Sequence, residues 1–141
     1  MKCSSLTSWL FLLTVMSAAC PADEPMVRVV VWDEQQPAQK QAYENFLGNA
    51  IAEHLSRQPG LRVISANINE PDKGLPATLL DNTDVLIWWG HVRHDEISAD
   101  LSRDIVARIK EGRLARIALH SAYWTHLEDR CGASFLLPSG A

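Results

Sequence analysis

Residues 27–32 read Val27-Arg28-Val29-Val30-Val31-Trp32, a β-branched run with one charge. A continuous apolar run of this kind predicts a strand that is covered on both faces. A second run, residues 85–89, consists of Val85-Leu86-Ile87-Trp88-Trp89 and predicts a buried strand closed by Gly90. Shorter runs at residues 61–66 and 117–119 predict two further strands.

Between these strands the apolar residues take helical spacing. Residues 43–55 predict one helix, which ends before Pro59-Gly60. Residues 75–80 predict a short helix, and residues 101–109 predict another that stops at Gly112. This β-α-β-α-β-α-β order with short connections predicts an α/β fold with a parallel, doubly wound sheet.

Composition sets the class of protein. The chain has 141 residues, of which 47% are hydrophobic, and Lys+Arg 13 stand against Asp+Glu 17 for a net charge of −4. The apolar fraction excludes a disordered chain, and the length suits one domain. The acidic balance argues against nucleic acid or an anionic membrane surface as the main partner. Three cysteines, two of them in the first twenty residues, exclude a disulfide scaffold.

The first segment has the pattern of an export signal. Lys2 precedes an almost wholly apolar stretch at residues 6–19, which ends in Ser17-Ala18-Ala19. This predicts a signal peptide at residues 1–19 and a short linker at residues 20–26. The stretch is too short for a transmembrane segment. We expect a periplasmic or extracellular protein, with Cys20 either unmodified or carrying a lipid anchor. The sequence does not indicate the oligomeric state.

Polar residues follow the predicted strands and should meet at one edge of the sheet. Glu34 follows the first strand, His91 and His94 follow the third, and His120 and Ser121 follow the fourth. Three imidazoles and a carboxylate suit a divalent metal such as zinc, with His91, His94 and His120 as ligands. Two alternatives stay open: a metal-free acid–base site, and histidines that only hydrogen-bond the backbone at strand ends.

Ser121 is not predicted to be a covalent nucleophile. A nucleophile elbow needs small residues two positions to either side, and here those positions hold Leu119 and Tyr123. We expect Ser121 to hydrogen-bond a ligand or to cap a helix.

Tryptophans near this edge are candidates for stacking on a sugar ring. Trp32 and Trp124 follow strands, and one of the consecutive pair Trp88 and Trp89 should lean toward the site, because neighbours on a strand point to opposite faces. Trp32, Trp89 and Trp124 are the predicted substrate contacts. The alternative is packing in the core or at its rim.

Four segments together resemble one known family. They are Val30-Val31-Trp32-Asp33-Glu34, Glu70-Pro71-Asp72-Lys73-Gly74-Leu75, the segment from Asp84 through Trp88-Trp89-Gly90-His91-Val92-Arg93-His94-Asp95-Glu96, and Ala118-Leu119-His120-Ser121-Ala122-Tyr123-Trp124. They are similar to the trehalose-utilisation (ThuA-like) family, which is related to the class I glutamine amidotransferases.

That resemblance implies a flavodoxin-like fold and a role in carbohydrate utilisation, on disaccharides such as trehalose or on oxidised sugars. It places Glu34, His91, His94, His120 and Ser121 at the family's site positions. In the amidotransferase relatives the position of Ser121 carries a cysteine nucleophile, so its replacement argues against glutamine hydrolysis.

The chain departs from the family after residue 126. Family members continue with further strands and helices, whereas residues 127–141 match no strand–helix unit. We therefore expect an incomplete sheet of about four strands in a domain at residues 27–126, followed by an atypical tail. The alternative to an exported enzyme is a non-catalytic sugar-binding remnant or an inactive truncated gene product.

Overall fold

A computed structural model describes residues 25–90 and 92–119 of the chain, with the backbone alone at His94. Four strands and three α-helices alternate through these residues. In chain order they are β1 (Val27–Asp33), α1 (Leu47–Ser56), β2 (Leu61–Asn67), α2 (Ala77–Leu80), β3 (Val85–Trp89), α3 (Ala99–Lys110) and β4 (Ala115–Leu119).

The strands form one parallel sheet in the order β2-β1-β3-β4. In the register of β1 with β3, Val31 pairs with Ile87 and Trp32 pairs with Trp88. The central strands β1 and β3 hold the most deeply buried residues, as their apolar runs predict. The α/β class and the parallel sheet are therefore confirmed, and four strands in this order are consistent with part of a flavodoxin-like sheet.

Helices cover both faces of the sheet. On one face, α2 and α3 pack against alternate residues of β1 and β3, and this core cluster is made of Val30, Trp32, Ala66, Ile68, Leu75, Leu80, Leu86, Trp88, Ile97, Ile105, Val106 and Leu114. On the other face, Ala52 of α1 packs against Val29, Val31 and Ile87. The sheet is therefore doubly wound, because β1–α1–β2 and the two later connections lie on opposite faces.

The start of α1 differs from the sequence prediction. The helix begins at Leu47 and not at residue 43, because the chain first forms a 3₁₀ turn at Pro37–Gln41 and then reverses at Phe46. Phe46 has φ 57° and ψ 152°, a backbone region nearly restricted to glycine. The apolar spacing of Tyr43 and Phe46 therefore belongs to the turn before the helix.

Within the described residues, no helix has the length and apolar character needed to cross a bilayer.

Candidate functional site

The strand order defines where a ligand crevice should form. From β1 the chain crosses first to β2 on one side and later to β3 on the other, so the connection reverses between β1 and β3. Open parallel sheets bind ligands at this switch point, beyond the carboxyl ends of the strands. We call this region, formed by the residues directly after β1, β2 and β3, the carboxyl edge.

Glu34, the residue after β1, is fully buried at the floor of the carboxyl edge. Its Oε2 accepts hydrogen bonds from the backbone N–H of Val92 at 3.0 Å and from Nε2 of Gln36 at 2.9 Å. Its Oε1 accepts a hydrogen bond from the backbone N–H of Arg93 at 3.0 Å. Glu34 therefore fixes the segment between His91 and His94 against the end of β1.

This arrangement gives Glu34 a role that the sequence did not predict. Both carboxylate oxygens accept hydrogen bonds, and the side chain has no exposed surface. A buried carboxylate loses stabilisation when its donors are withdrawn. Glu34 is therefore a positioning residue for the loop after β3, and its predicted catalytic role stays a prediction.

Asp33, the last residue of β1, closes the first turn of α1. Its Oδ2 accepts a hydrogen bond from the backbone N–H of Gly48 at 2.6 Å, and its Oδ1 accepts one from Nε2 of Gln39 at 2.8 Å. The Gln39 Oε1 accepts the backbone N–H of Leu47 at 2.9 Å. In nucleotide-binding folds, backbone N–H groups at this position donate to a phosphate. Here the N–H groups of Leu47 and Gly48 donate instead to side chains of the protein.

A polar network crosses the rim of the carboxyl edge and joins three loops. Arg93 donates from Nε and Nη2 to the two carboxylate oxygens of Glu96, at 2.6 and 3.0 Å. Its Nη1 donates to Oδ1 of Asn69 at 2.8 Å, and the Asn69 Nδ2 donates to Oε1 of Gln35 at 3.3 Å. Lys73 donates to Oε2 of Glu96 at 2.9 Å. The loops after β1, β2 and β3 are thus held together by side chains around Arg93 and Glu96.

Charge pairing governs the ionisation of this network. Hydrogen bonds from the Arg93 guanidinium, and then from the Lys73 ammonium, lower the pKa of Glu96 to about 2. The same hydrogen bonds to Glu96 raise the pKa of Arg93. Glu96 is therefore a carboxylate throughout the neutral and mildly acidic range.

The loop after β2 is shaped so that it reaches this network. Asp72 and Lys73 have φ of 50° and 57°, and the Lys73 carbonyl accepts a hydrogen bond from Nε1 of Trp32 at 2.8 Å. Gly74 follows with φ 74°, and a Cβ there would stand 2.4 Å from the carbonyl oxygen of Asn67. Only glycine fits so close an approach of two backbone segments.

The predicted tryptophan contacts separate in the structure. Trp32 has no exposed surface and stacks on Trp88, with ring centroids 4.0 Å apart. Its prediction as a sugar contact is corrected, because its position inside the continuous apolar run of β1 directs it into the core. Trp89 points to the opposite face and is only half-buried, so its contact with a sugar stays a prediction.

Several predicted site residues lie outside the described part of the chain. They are His91, His120, Ser121 and Trp124, together with the side chain of His94. Their predicted roles stay predictions. Of the side chains that are described in residues 25–90 and 92–119, no group of three His, Cys, Asp or Glu converges in a way that could hold a metal ion.

Asp33 and Glu96 follow predicted strands, but no role was predicted for them, and Lys73 and Arg93 were not singled out. Their charge was visible, but charged residues in loops are usually solvated, and nothing in their spacing shows that three loops meet. The one local signal was Gly90, since a glycine at the end of a strand often marks a close approach of another segment. In the structure the segment that approaches is Glu34, after β1.

Comparisons with known proteins leave the family unassigned. No family model matches the sequence, and no curated protein matches it significantly.

Proposed function

We propose that this protein is an exported, ThuA-like carbohydrate-utilisation protein whose carboxyl edge binds a small sugar, with His91, His94 and His120 carrying the chemistry. The proposal rests on the sequence resemblance and on the contacts of Glu34 with Val92 and Arg93 at the switch point between β1 and β3. Ser121 and Trp124 would contribute a hydrogen bond and a stacking surface from the segment after β4.

One observation carries the proposal. Glu34, fully buried, accepts the amides of Val92 and Arg93 and so anchors the segment that contains two of the three histidines at the switch point. Burying a carboxylate costs free energy unless hydrogen bonds compensate for the lost water. A loop that is held by such a group has a fixed position, and a fixed position is what a functional site requires.

The chemistry follows from the imidazole groups. A histidine near neutral pH can accept a proton from a sugar hydroxyl and return it to a leaving oxygen. Were a zinc ion bound, the three histidines would hold it and it would supply an acidic water molecule. Glu34 would support the chemistry in either case by holding the loop after β3, and its own predicted catalytic role stays a prediction.

The decisive experiment compares histidine variants of the purified secreted chain on a panel of disaccharides and their oxidised derivatives. His91→Ala and His120→Ala should each lose turnover by about 100-fold or more, the scale of general acid–base catalysis. His54→Ala is the matched control, since His54 is exposed on α1, and it should leave turnover unchanged. Equal turnover in all three variants would refute the proposal.

A second candidate is a sugar-binding protein without catalysis. The observation that favours it is that Glu34, the buried carboxylate at the end of β1, is fully engaged by Gln36 and by two backbone amides. Saturable binding of a disaccharide without any turnover, unchanged by zinc or by EDTA, would favour this candidate. A thermal unfolding transition raised by zinc and lowered by EDTA would favour the metal-bound enzyme.

A further inference from the structure

We propose that Glu96 determines specificity at the carboxyl edge. It binds the two cations of the rim, Lys73 and Arg93, and so prevents them from binding an acidic sugar. The site therefore accepts neutral sugars and rejects acidic ones. This inference rests on the proposed function, and it selects between the neutral and the oxidised sugars that the proposal leaves open.

The three side chains form a paired cluster in which Glu96 accepts every hydrogen bond. Glu96 receives two hydrogen bonds from Arg93, at 2.6 and 3.0 Å, and one from Lys73 at 2.9 Å. A guanidinium fork bound to both oxygens of a carboxylate is the arrangement by which proteins recognise acidic ligands. Glu96 therefore occupies the position that the carboxylate of an acidic sugar would take.

Arg93 does not depend on Glu96 alone for its placement. It is also held by Oδ1 of Asn69 at 2.8 Å and by the carbonyl of Glu34 at 3.4 Å. The backbone of Lys73 is held by the hydrogen bond that its carbonyl accepts from Nε1 of Trp32. Removing the negative charge of Glu96 should therefore leave the Arg93 guanidinium at the rim, with the Lys73 ammonium within reach of the same ligand.

The space beside the pair is open to a ligand and unfavourable to an anion. Lys73 and Glu96 line an open cleft of about 520 Å³ between the loop after β2 and the start of α3, and Leu75 and Leu101 also line it. The other charged groups of the cleft are the carboxylates of Asp72, Asp100 and Asp104, of which Asp100 is paired with Arg103 and Asp104 with Arg108. An acidic ligand would meet the carboxylate of Asp72 and would also have to displace Glu96, whereas a neutral polyhydroxylated ligand meets neither cost.

The test measures binding of three probes to the full secreted chain and to Glu96→Gln, by calorimetry or by NMR titration. The probes are a neutral disaccharide, glucuronate and inorganic phosphate. The variant should bind glucuronate and phosphate about tenfold or more tightly than the wild-type chain, the scale expected for a freed bidentate charge-assisted site. The ratio of its glucuronate affinity to its neutral disaccharide affinity should rise by about tenfold or more relative to the wild-type chain.

Control variants make the result specific. Glu111→Gln removes the carboxylate of another exposed ion pair, Glu111 with Arg113, and should change no probe. Adding Arg93→Gln or Lys73→Met to Glu96→Gln should abolish the gain. Glu96→Ala serves as a second variant and should show the same gain for phosphate.

Each outcome decides a different statement. Phosphate and glucuronate affinities that are equal in the wild type and in both Glu96 variants would overturn the specificity role of Glu96. Wild-type binding of glucuronate as tight as that of the neutral disaccharide would overturn it too. If no sugar binds any form while phosphate gains in the Glu96 variants, the proposed sugar function fails and the anion-blocking role of Glu96 stands.

Discussion

Gly90 lies so close to Glu34 that a Cβ atom added to Gly90 would stand 2.6 Å from both Cγ and Oε1 of that side chain. Real Cβ atoms essentially never approach other atoms so closely, and Glu34 is buried and held by two backbone amides. The absence of a side chain at the end of β3 is therefore what allows the acid from the end of β1 to reach across and hold the loop after β3.

Gly90→Ala should destabilise the protein by about 1–3 kcal/mol, the usual cost of forcing an atom into packed surroundings. The strain should disappear when its partner is shortened. In the background of Glu34→Ala, the same glycine substitution should cost much less, because Cγ, Cδ and Oε1 are gone. Urea unfolding of the four proteins in this double-mutant cycle measures the coupling, and additive effects would contradict the contact.

Glu34→Gln should destabilise the protein even though it changes no volume. One oxygen acceptor becomes an NH₂ group that faces a backbone N–H, which leaves a buried donor unsatisfied at a cost of about 1–3 kcal/mol. Urea unfolding checks this result. A fully stable variant would contradict the role of Glu34 in holding the loop after β3.

Asp33→Asn tests how the start of α1 is held. The substitution places a donor against the amides of Gly48 or Gln39, so we expect a loss of about 1–3 kcal/mol in the free energy of unfolding. Asp100→Asn is the matched control, because Asp100 is exposed near the start of α3, and it should cost less than about 0.5 kcal/mol. Equal effects of the two substitutions would contradict the buried cap.

Trp32→Phe and Trp89→Phe should separate stability from binding. Trp32→Phe loses the hydrogen bond to the Lys73 carbonyl and part of the stack on Trp88, at a cost of about 1–3 kcal/mol. It should leave sugar affinity nearly unchanged, because no face of the ring is exposed. Trp89→Phe should weaken sugar binding with a smaller effect on stability. The opposite pattern would show that Trp32 is the stacking residue.

Acid stability should depend on Asp84, at the opposite end of the sheet. The hydrogen bonds from the Arg28 side chain, and then from its backbone amide, lower the pKa of Asp84 from 3.8 to about 2. Since the folded pKa lies below the unfolded one, this contribution is complete above pH about 4 and is lost as the pH falls toward 2. In Asp84→Asn the free energy of unfolding should therefore fall less steeply across that window.

Arg28→Gln is the reciprocal check on the pH dependence, because it removes the guanidinium donors and leaves the acid with the backbone amide of residue 28. It should flatten the same window of the stability profile. A profile of the wild-type chain identical to those of both variants would contradict the assignment of the shift to this pair.

The architecture was predictable because its signals are local. The apolar runs of β1 and β3 are continuous, so they indicated strands covered on both faces, and the helical spacing between them indicated parallel connections. The start of α1 was not predictable, because Phe46 takes a backbone conformation that is typical of glycine, and the neighbouring sequence does not indicate it. Tertiary contacts, such as those from Asp33 to Gly48, set that boundary.

The site was predictable only as a location. The strand exits indicated that Glu34 and the histidine segment would meet, and Glu34 does contact Val92 and Arg93. Its role was not predictable, because spacing cannot show that both oxygens are used by backbone amides. The burial of Trp32 could have been inferred from its place in the continuous apolar run of β1. In the structure Trp32 lies beside Trp88 of β3, and both belong to the core cluster.

The central claim is that a sugar binds at the carboxyl edge, where Glu34 holds the loop after β3. The most direct measurement is a titration of the amide NMR spectrum of the protein with a neutral disaccharide. We expect the perturbed amides to cluster at residues 34–36 and 92–96, while those of Arg28 and Asp84 at the opposite end stay unchanged. Perturbations confined to the end of the sheet that holds Arg28 and Asp84, or none at saturating disaccharide, would contradict it.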